Sequence, residues 1–227
     1  MNTDRLHSGV PEEFPQVKVL LERCSETPHG RDNEFMRLVE KNAATPRHWM
    51  RLLRLIDLSL DAQVTGYATG VARFSARPDA DAYLAFAQVK LDARRLMREA
   101  ETALRYDGPP VTALDLTASA CSMPWYYLWL GSTADRAASG LGLYVGLVSW
   151  HEFCVALVEE IDRLSIQLPE EYVFVFRRWQ QRPTELLDQC LRMAEEGLSR
   201  SSSTDQTMVA VRLAADSMAQ FLSACAV

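Results

Sequence analysis

The chain lacks paired cysteines. Its five, Cys24, Cys121, Cys154, Cys190 and Cys225, are odd in number and widely spaced. No Cys-x-x-Cys pair occurs, which argues against a zinc ribbon or a disulfide framework. Most lie among apolar residues and read as small buried hydrophobes of a reducing compartment. Histidine is scarce, with four residues at His7, His29, His48 and His151. The paired Glu-x-x-His motifs of di-iron bundles are missing. Glycine and proline number only 10 each, which excludes collagen-like and low-complexity chains. Basic excess is absent too: 24 Lys and Arg face 30 Asp and Glu, a formal charge of −6. A general phosphate-backbone binder needs a basic surface, so no nucleic-acid partner is expected. No uncharged apolar run approaches the ~18 residues of a membrane helix. The closest, Leu141 to Leu157, is interrupted by His151 and Glu152. The first residues lack the apolar run of a signal peptide, so a cytoplasmic protein without a membrane partner is expected. The Gly-rich phosphate loops, the Gly-x-Ser-x-Gly elbow and His-Glu-x-x-His are also missing.

What is present is an ordinary globular composition, 48% hydrophobic and 24% charged over 227 residues. That suits one helical domain spanning 1–227, with a flexible segment expected at 1–13. Apolar residues recur at helical spacing. Phe14, Val17, Leu20 and Leu21 predict a short helix over 14–25. Asp32 is positioned to cap a second helix carrying Phe35, Leu38 and Val39. Thr45-Pro46 reads as a cap and first turn, opening a long helix to about Phe74 in which Gly66 and Gly70 mark a kink or a close crossing. Pro78-Asp79 opens the next helix, and Asp107-Gly108-Pro109-Pro110 stops it. A further helix is expected from about Thr112 to Ala137. Ser139-Gly140 and Gly142 should separate it from another that ends near Leu164. Pro169 starts the next and Pro183 should break or bend it. Thr204 or Asp205 then caps a last helix to about Ala224. No stretch alternates long enough for a sheet, and Tyr172 to Phe176 reads as helix despite its strand-like composition. The expectation is an all-α compact bundle of seven to eight helices.

Three groups of residues carry possible chemistry. Trp125-Tyr126-Tyr127-Leu128-Trp129 covers every face of a helix, either as aromatic core or as the wall of a ligand pocket. Trp150-His151-Glu152-Phe153-Cys154 puts a His and a Glu inside an apolar helix, which is costly without a partner. One of the two could face the interior as acid, base or ligand anchor; a helix with one polar edge is the plain alternative. Asp57, Asp92 and Asp216 are carboxylates within apolar runs, each a surface residue or part of an ion pair.

The succession of elements from Cys24 onward resembles the haem-oxygenase-like superfamily, which includes thiaminase II (TenA), the PQQ-synthesis oxidase and the haem-oxygenase-like di-iron oxidases. The resemblance rests on Pro28-His29-Gly30, Pro46-Arg47-His48-Trp49, Tyr126-Tyr127, Trp150-His151-Glu152, Glu171-Tyr172 leading to Arg178-Trp179, and a last helix reaching Phe221. It implies a helical bundle with a central cavity and a two-fold homodimer. The metal motifs are degenerate. Asp92 has no accompanying His, and Trp179 and Pro183 stand where iron ligands would fall. His29 precedes a helix rather than lying in one. Neither iron nor haem is therefore expected as a cofactor. Asp57, Tyr126 or Tyr127, Cys154 and Tyr172 are loose counterparts of the thiaminase set; its terminal Glu has no match, and Asp216 is the nearest acid.

The resulting expectation is an enzyme acting on a small organic molecule in the bundle cavity, in specialised or cofactor metabolism, without metal. His151 would be acid or base, with Glu152 or Asp57 orienting it. Trp125, Tyr126, Tyr127, Cys154, Tyr172 and Trp179 would bind substrate. A non-catalytic binding protein is one alternative. A remodelled oxidase holding one metal on His151, Glu152 and further acids is another.

Overall fold

Helices are the only regular elements among the described residues of the computed structural model, which are 10–24, 30–75, 79–112, 116–200 and 202–227. Among the described residues nine α-helices appear, one or two more than expected. They are α1 Pro15–Arg23, α2 Glu34–Glu40, α3 Pro46–Arg73, α4 Asp79–Leu104, α5 Ala118–Ser132, α6 Arg136–Leu164, α7 Glu170–Arg177, α8 Thr184–Ser199 and α9 Thr204–Ser223, with a short 3₁₀ turn Ala224–Ala226. The turn residues Pro28 and His29, Pro78, and most of the segment 1–13 lie outside the described residues. Within that segment Val10 is buried.

Local chemistry sets most boundaries. Thr45 donates its backbone N–H to His48 Nδ1 at 3.0 Å, and Pro46 follows as the first residue of α3. Asn33, not Asp32, caps α2: its Oδ1 accepts from Met36 N–H at 2.9 Å. Ser203, not Thr204 or Asp205, caps α9 through Gln206 N–H at 3.2 Å. Pro183 separates α7 from α8.

One expected break is misplaced. The chain turns at Thr133–Asp135, where Asp135 Oδ1 accepts from Ala138 N–H at 2.9 Å and caps α6. Ser139, Gly140 and Gly142 lie inside α6. Gly140 is there for contact: a Cβ on it would sit 2.6 Å from the Ala194 backbone nitrogen of α8. Glycine at this point lets two helix backbones touch.

The bundle has two packed sides. α3 lies against α4 and α5, while α6 lies against α8 and α9; contacts of α5 with α9 and of α4 with α7 close it. α6 is the central element. Apart from the half-buried His151, Glu152 and Val155, its middle from Ala137 to Val158 is buried. By length and composition it could cross a membrane, but 83% of its most apolar window is covered by the other helices. A helix that is apolar all round is what a bundle centre requires.

Candidate functional site

The interior contains two small adjoining chambers. Each has about 30 Å³ of free space, room for a water or two. Ile56 of α3, Val89 and Lys90 of α4, Trp150 of α6, and Trp179 wall both. The inner chamber is completed mainly by Gln63, Tyr67, Phe86, Met123, Tyr127 and Met218. The outer one runs past Ala93 and Arg178, the latter exposed, towards the surface.

Lys90 is the central finding. Its ammonium lies 5.9 Å from the centroid of the Trp150 ring, within cation–π range. Among the described residues it makes no ion pair and no hydrogen bond, and neither chamber has an Asp, Glu or His in its wall. Burial therefore dominates its ionisation and pushes its pKa down from 10.5 to about 8, with Cys154 acting weakly the other way. Lys90 is half-buried: its long stem enters from the side of the bundle and brings the ammonium to the chamber walls without sealing it from solvent.

Three further polar atoms on the same walls lack partners. Gln63 Oε1, the Tyr67 hydroxyl and Trp150 Nε1 are buried and make no hydrogen bond. Gln63 is only half satisfied: its Nε2 donates to Ser59 Oγ at 2.7 Å. Tyr67 and Tyr127 have ring centroids 5.3 Å apart and influence one another's acidity, but the Tyr67 hydroxyl finds no hydrogen-bond geometry. Burial holds both phenols neutral, with pKa values raised far above the ordinary 10. Each orphaned buried group costs about 1–3 kcal/mol. Three of them beside an uncompensated ammonium form a set that water or a ligand would complete.

The sequence-predicted residues divide. Tyr127 and Trp179 wall the inner chamber. His151 is half-buried and lies outside both walls; its Nδ1–H donates to the Trp179 carbonyl at 2.6 Å, since a carbonyl can only accept. That bond fixes the tautomer and holds the main chain behind Trp179. Glu152 accepts from Gly30 N–H at 3.3 Å, tying the segment before α2 to α6. Asp57 lies 3.4 Å from Arg54, which also reaches Glu101 of α4 at 3.3 Å, in a half-buried network on the outside of α3. Trp125 is 58% exposed. The Tyr126 hydroxyl donates to the Ala210 carbonyl at 3.1 Å, and that of Tyr172 to the Trp49 carbonyl at 3.0 Å. Cys154 is fully buried, its thiol pushed well above the usual range by desolvation. Asp92 accepts from Gln88 on the surface, and Asp216 is exposed. Among the described residues no three His, Cys, Asp or Glu side chains converge as a metal site.

Sequence reasoning passed over Lys90 and Gln63. A signal existed for the first. Tyr83, Phe86, Lys90 and Met97 share one heptad face of α4, so a lysine stands at a core position. Lysine is also rare here: only Lys18, Lys41 and Lys90 occur among the 24 basic residues. No protein-family model and no curated protein sequence matches the chain.

Proposed function

We propose that this chain binds a small, mainly apolar organic molecule in the chambers between α3, α4, α5 and α6, with Lys90 as its anchor, and acts on it there. The observation that carries this reading is the unpaired Lys90 ammonium in a wall that also bears three orphaned polar atoms. The required ligand has an oxygen function for Lys90 and Trp150 Nε1–H, and a donor for Gln63 Oε1. Its remaining surface is apolar, to match Ile56, Phe86 and the two methionines. The free space is small, so anything larger than a few atoms must displace flexible side chains, and Met123, Met218 and Lys90 are suited to that. We further propose the haem-oxygenase-like arrangement for the bundle; an all-helical bundle whose helices enclose two adjoining interior chambers supports it. A non-catalytic carrier is the second reading, favoured by the absence of carboxylate and imidazole from the described walls.

The test is thermal denaturation of wild type and Lys90→Met against short-chain carboxylates, alcohols and ketones. Support is a raised Tm for one class, with affinity falling by about tenfold or more, roughly 1.4 kcal/mol, in Lys90→Met. Equal binding by both proteins, or none by wild type, overturns the reading.

A further inference from the structure

Lysine and arginine differ in one chemical respect that matters here: only lysine can shed its proton near neutral pH and attack a carbonyl. Nearly all positive charge in this chain is arginine, and Lys18 and Lys41 lie towards solvent on α1 and just after α2. The third lysine, Lys90, is half-buried and stands in the walls of both chambers. Among the described residues it has no carboxylate beside it to hold its proton, and it borders the outer chamber that leads past the exposed Arg178.

We propose that Lys90 captures aldehydes or ketones covalently, forming an imine through its Nζ at the junction of the two chambers. This rests on the small-molecule reading above and names the substrate class. The step is balanced. The neutral amine attacks the carbonyl carbon and a C–N bond forms; the two amine protons pass to the carbonyl oxygen, the C–O bond breaks, and the oxygen leaves as water. Reversal by water releases the carbonyl compound unchanged.

The surroundings suit this chemistry. The groups facing Lys90 that could titrate are Tyr67 on α3, Tyr127 on α5 and Cys154 on α6, with Arg178 beyond α7. Burial keeps the two phenols and the thiol neutral into the alkaline range, so Lys90 changes charge before any of these three. The Trp150 indole stabilises the ammonium and also a protonated imine, since both present a cation to its ring. The tyrosine hydroxyls are donors within the same chamber for the departing oxygen.

The experiment uses the intact protein and butanal as probe, with sodium cyanoborohydride to reduce any imine to a stable butyl-lysine, followed by peptide mass mapping. The two other lysines are internal controls. At pH 7.5 Lys90 is expected to carry the butyl group about tenfold more than Lys18 or Lys41. Its larger neutral fraction outweighs its lower basicity. The yield at Lys90 should climb as pH rises from 6 to about 8 and then level, following its depressed pKa. Lys90→Arg, which keeps the charge, should lose the adduct. Labelling of Lys90 no faster than of the other two overturns the proposal. Butanone and butyrate in thermal denaturation separate the two claims. If they stabilise the wild type while no Lys90 adduct forms, imine capture fails and the binding reading stands. If neither they nor butanal binds, both fail.

Discussion

Lys90 and Trp150 form an ammonium–indole contact at 5.9 Å in a wall whose described residues offer the cation no anion. Lys90 therefore costs stability when charged. Its folded pKa, about 8, lies below the unfolded value near 10.5. Between these two values the unfolded chain holds the extra proton, so the contribution of Lys90 to stability improves as pH rises from about 8 to 10.5 and is worst below 8. Lys90→Met removes the charge and keeps the stem volume. The variant should be more stable than wild type by about 2 to 3 kcal/mol at pH 7. The gain should shrink towards zero by about pH 10.5. Comparing urea denaturation of the two proteins across this range isolates Lys90 from the buried thiols and phenols common to both. A variant less stable than wild type at pH 7 contradicts the account.

α3 and α5 cross through glycine. A Cβ on Gly131 would lie 1.9 Å from the Gly66 carbonyl oxygen, and one on Gly66 would lie 2.3 Å from the Tyr127 carbonyl oxygen. Both obstacles are backbone, so the helices must separate rather than repack. Gly131→Ala should cost about 3 kcal/mol by chemical denaturation. The double variant with Gly66→Ala should cost less than the sum, because the first substitution already opens the crossing. The same opening moves Tyr67 away from Tyr127 and should weaken ligand binding.

The fold was more legible than the site, for physical reasons that individual residues show. Thr45-Pro46, Asp107-Gly108 and Pro183 act through their own backbones, so their effect can be read locally. Ser139-Gly140 misled because glycine punctuates loops and also permits close helix contact, and only α8 decides between the two. The same limit governs the site. His151 and Glu152 stood out as polar residues in an apolar helix, but their partners, the Trp179 carbonyl and Gly30 N–H, are main-chain atoms far away in sequence. Lys90 was overlooked because a lysine on a long helix usually faces water. Whether its ammonium meets a carboxylate is decided by three other helices.

The starts of α4 and α6 are joined by an ion pair that is itself largely buried. Arg136 Nε and Nη2 donate to the two Asp79 oxygens at 2.6 and 2.8 Å, and Nη2 also reaches Glu196 of α8 at 2.9 Å. Asp79 keeps 6% side-chain exposure, so losing its cation leaves a carboxylate with little water. Arg136→Met should destabilise by about 2–3 kcal/mol, less than a fully buried pair because Glu196 is half exposed. Arg136→Lys should recover part of this, since it keeps the charge but not the two-pronged geometry. Guanidinium-free urea melts in low and high salt should show the loss almost unchanged by salt.

His151 can be tested as a holder of Trp179 against its expected role as acid or base. Its Nδ1–H to the Trp179 carbonyl is short, 2.6 Å, and fastens the residue that walls both chambers. His151→Ala removes the donor and should cost about 1 kcal/mol of stability. It should also weaken ligand binding several-fold, because the indole loses its backbone support. His151→Asn is the informative variant, for its amide N–H can take the place of Nδ1–H while supplying no titratable group. A holding role predicts that Asn restores stability and affinity to near wild type. An acid–base role predicts that affinity returns with Asn but turnover stays depressed by about 10²–10⁴-fold, the usual contribution of a positioned proton-transfer group. Binding isotherms and turnover of the same three proteins, measured with any ligand that stabilises wild type, decide between the two.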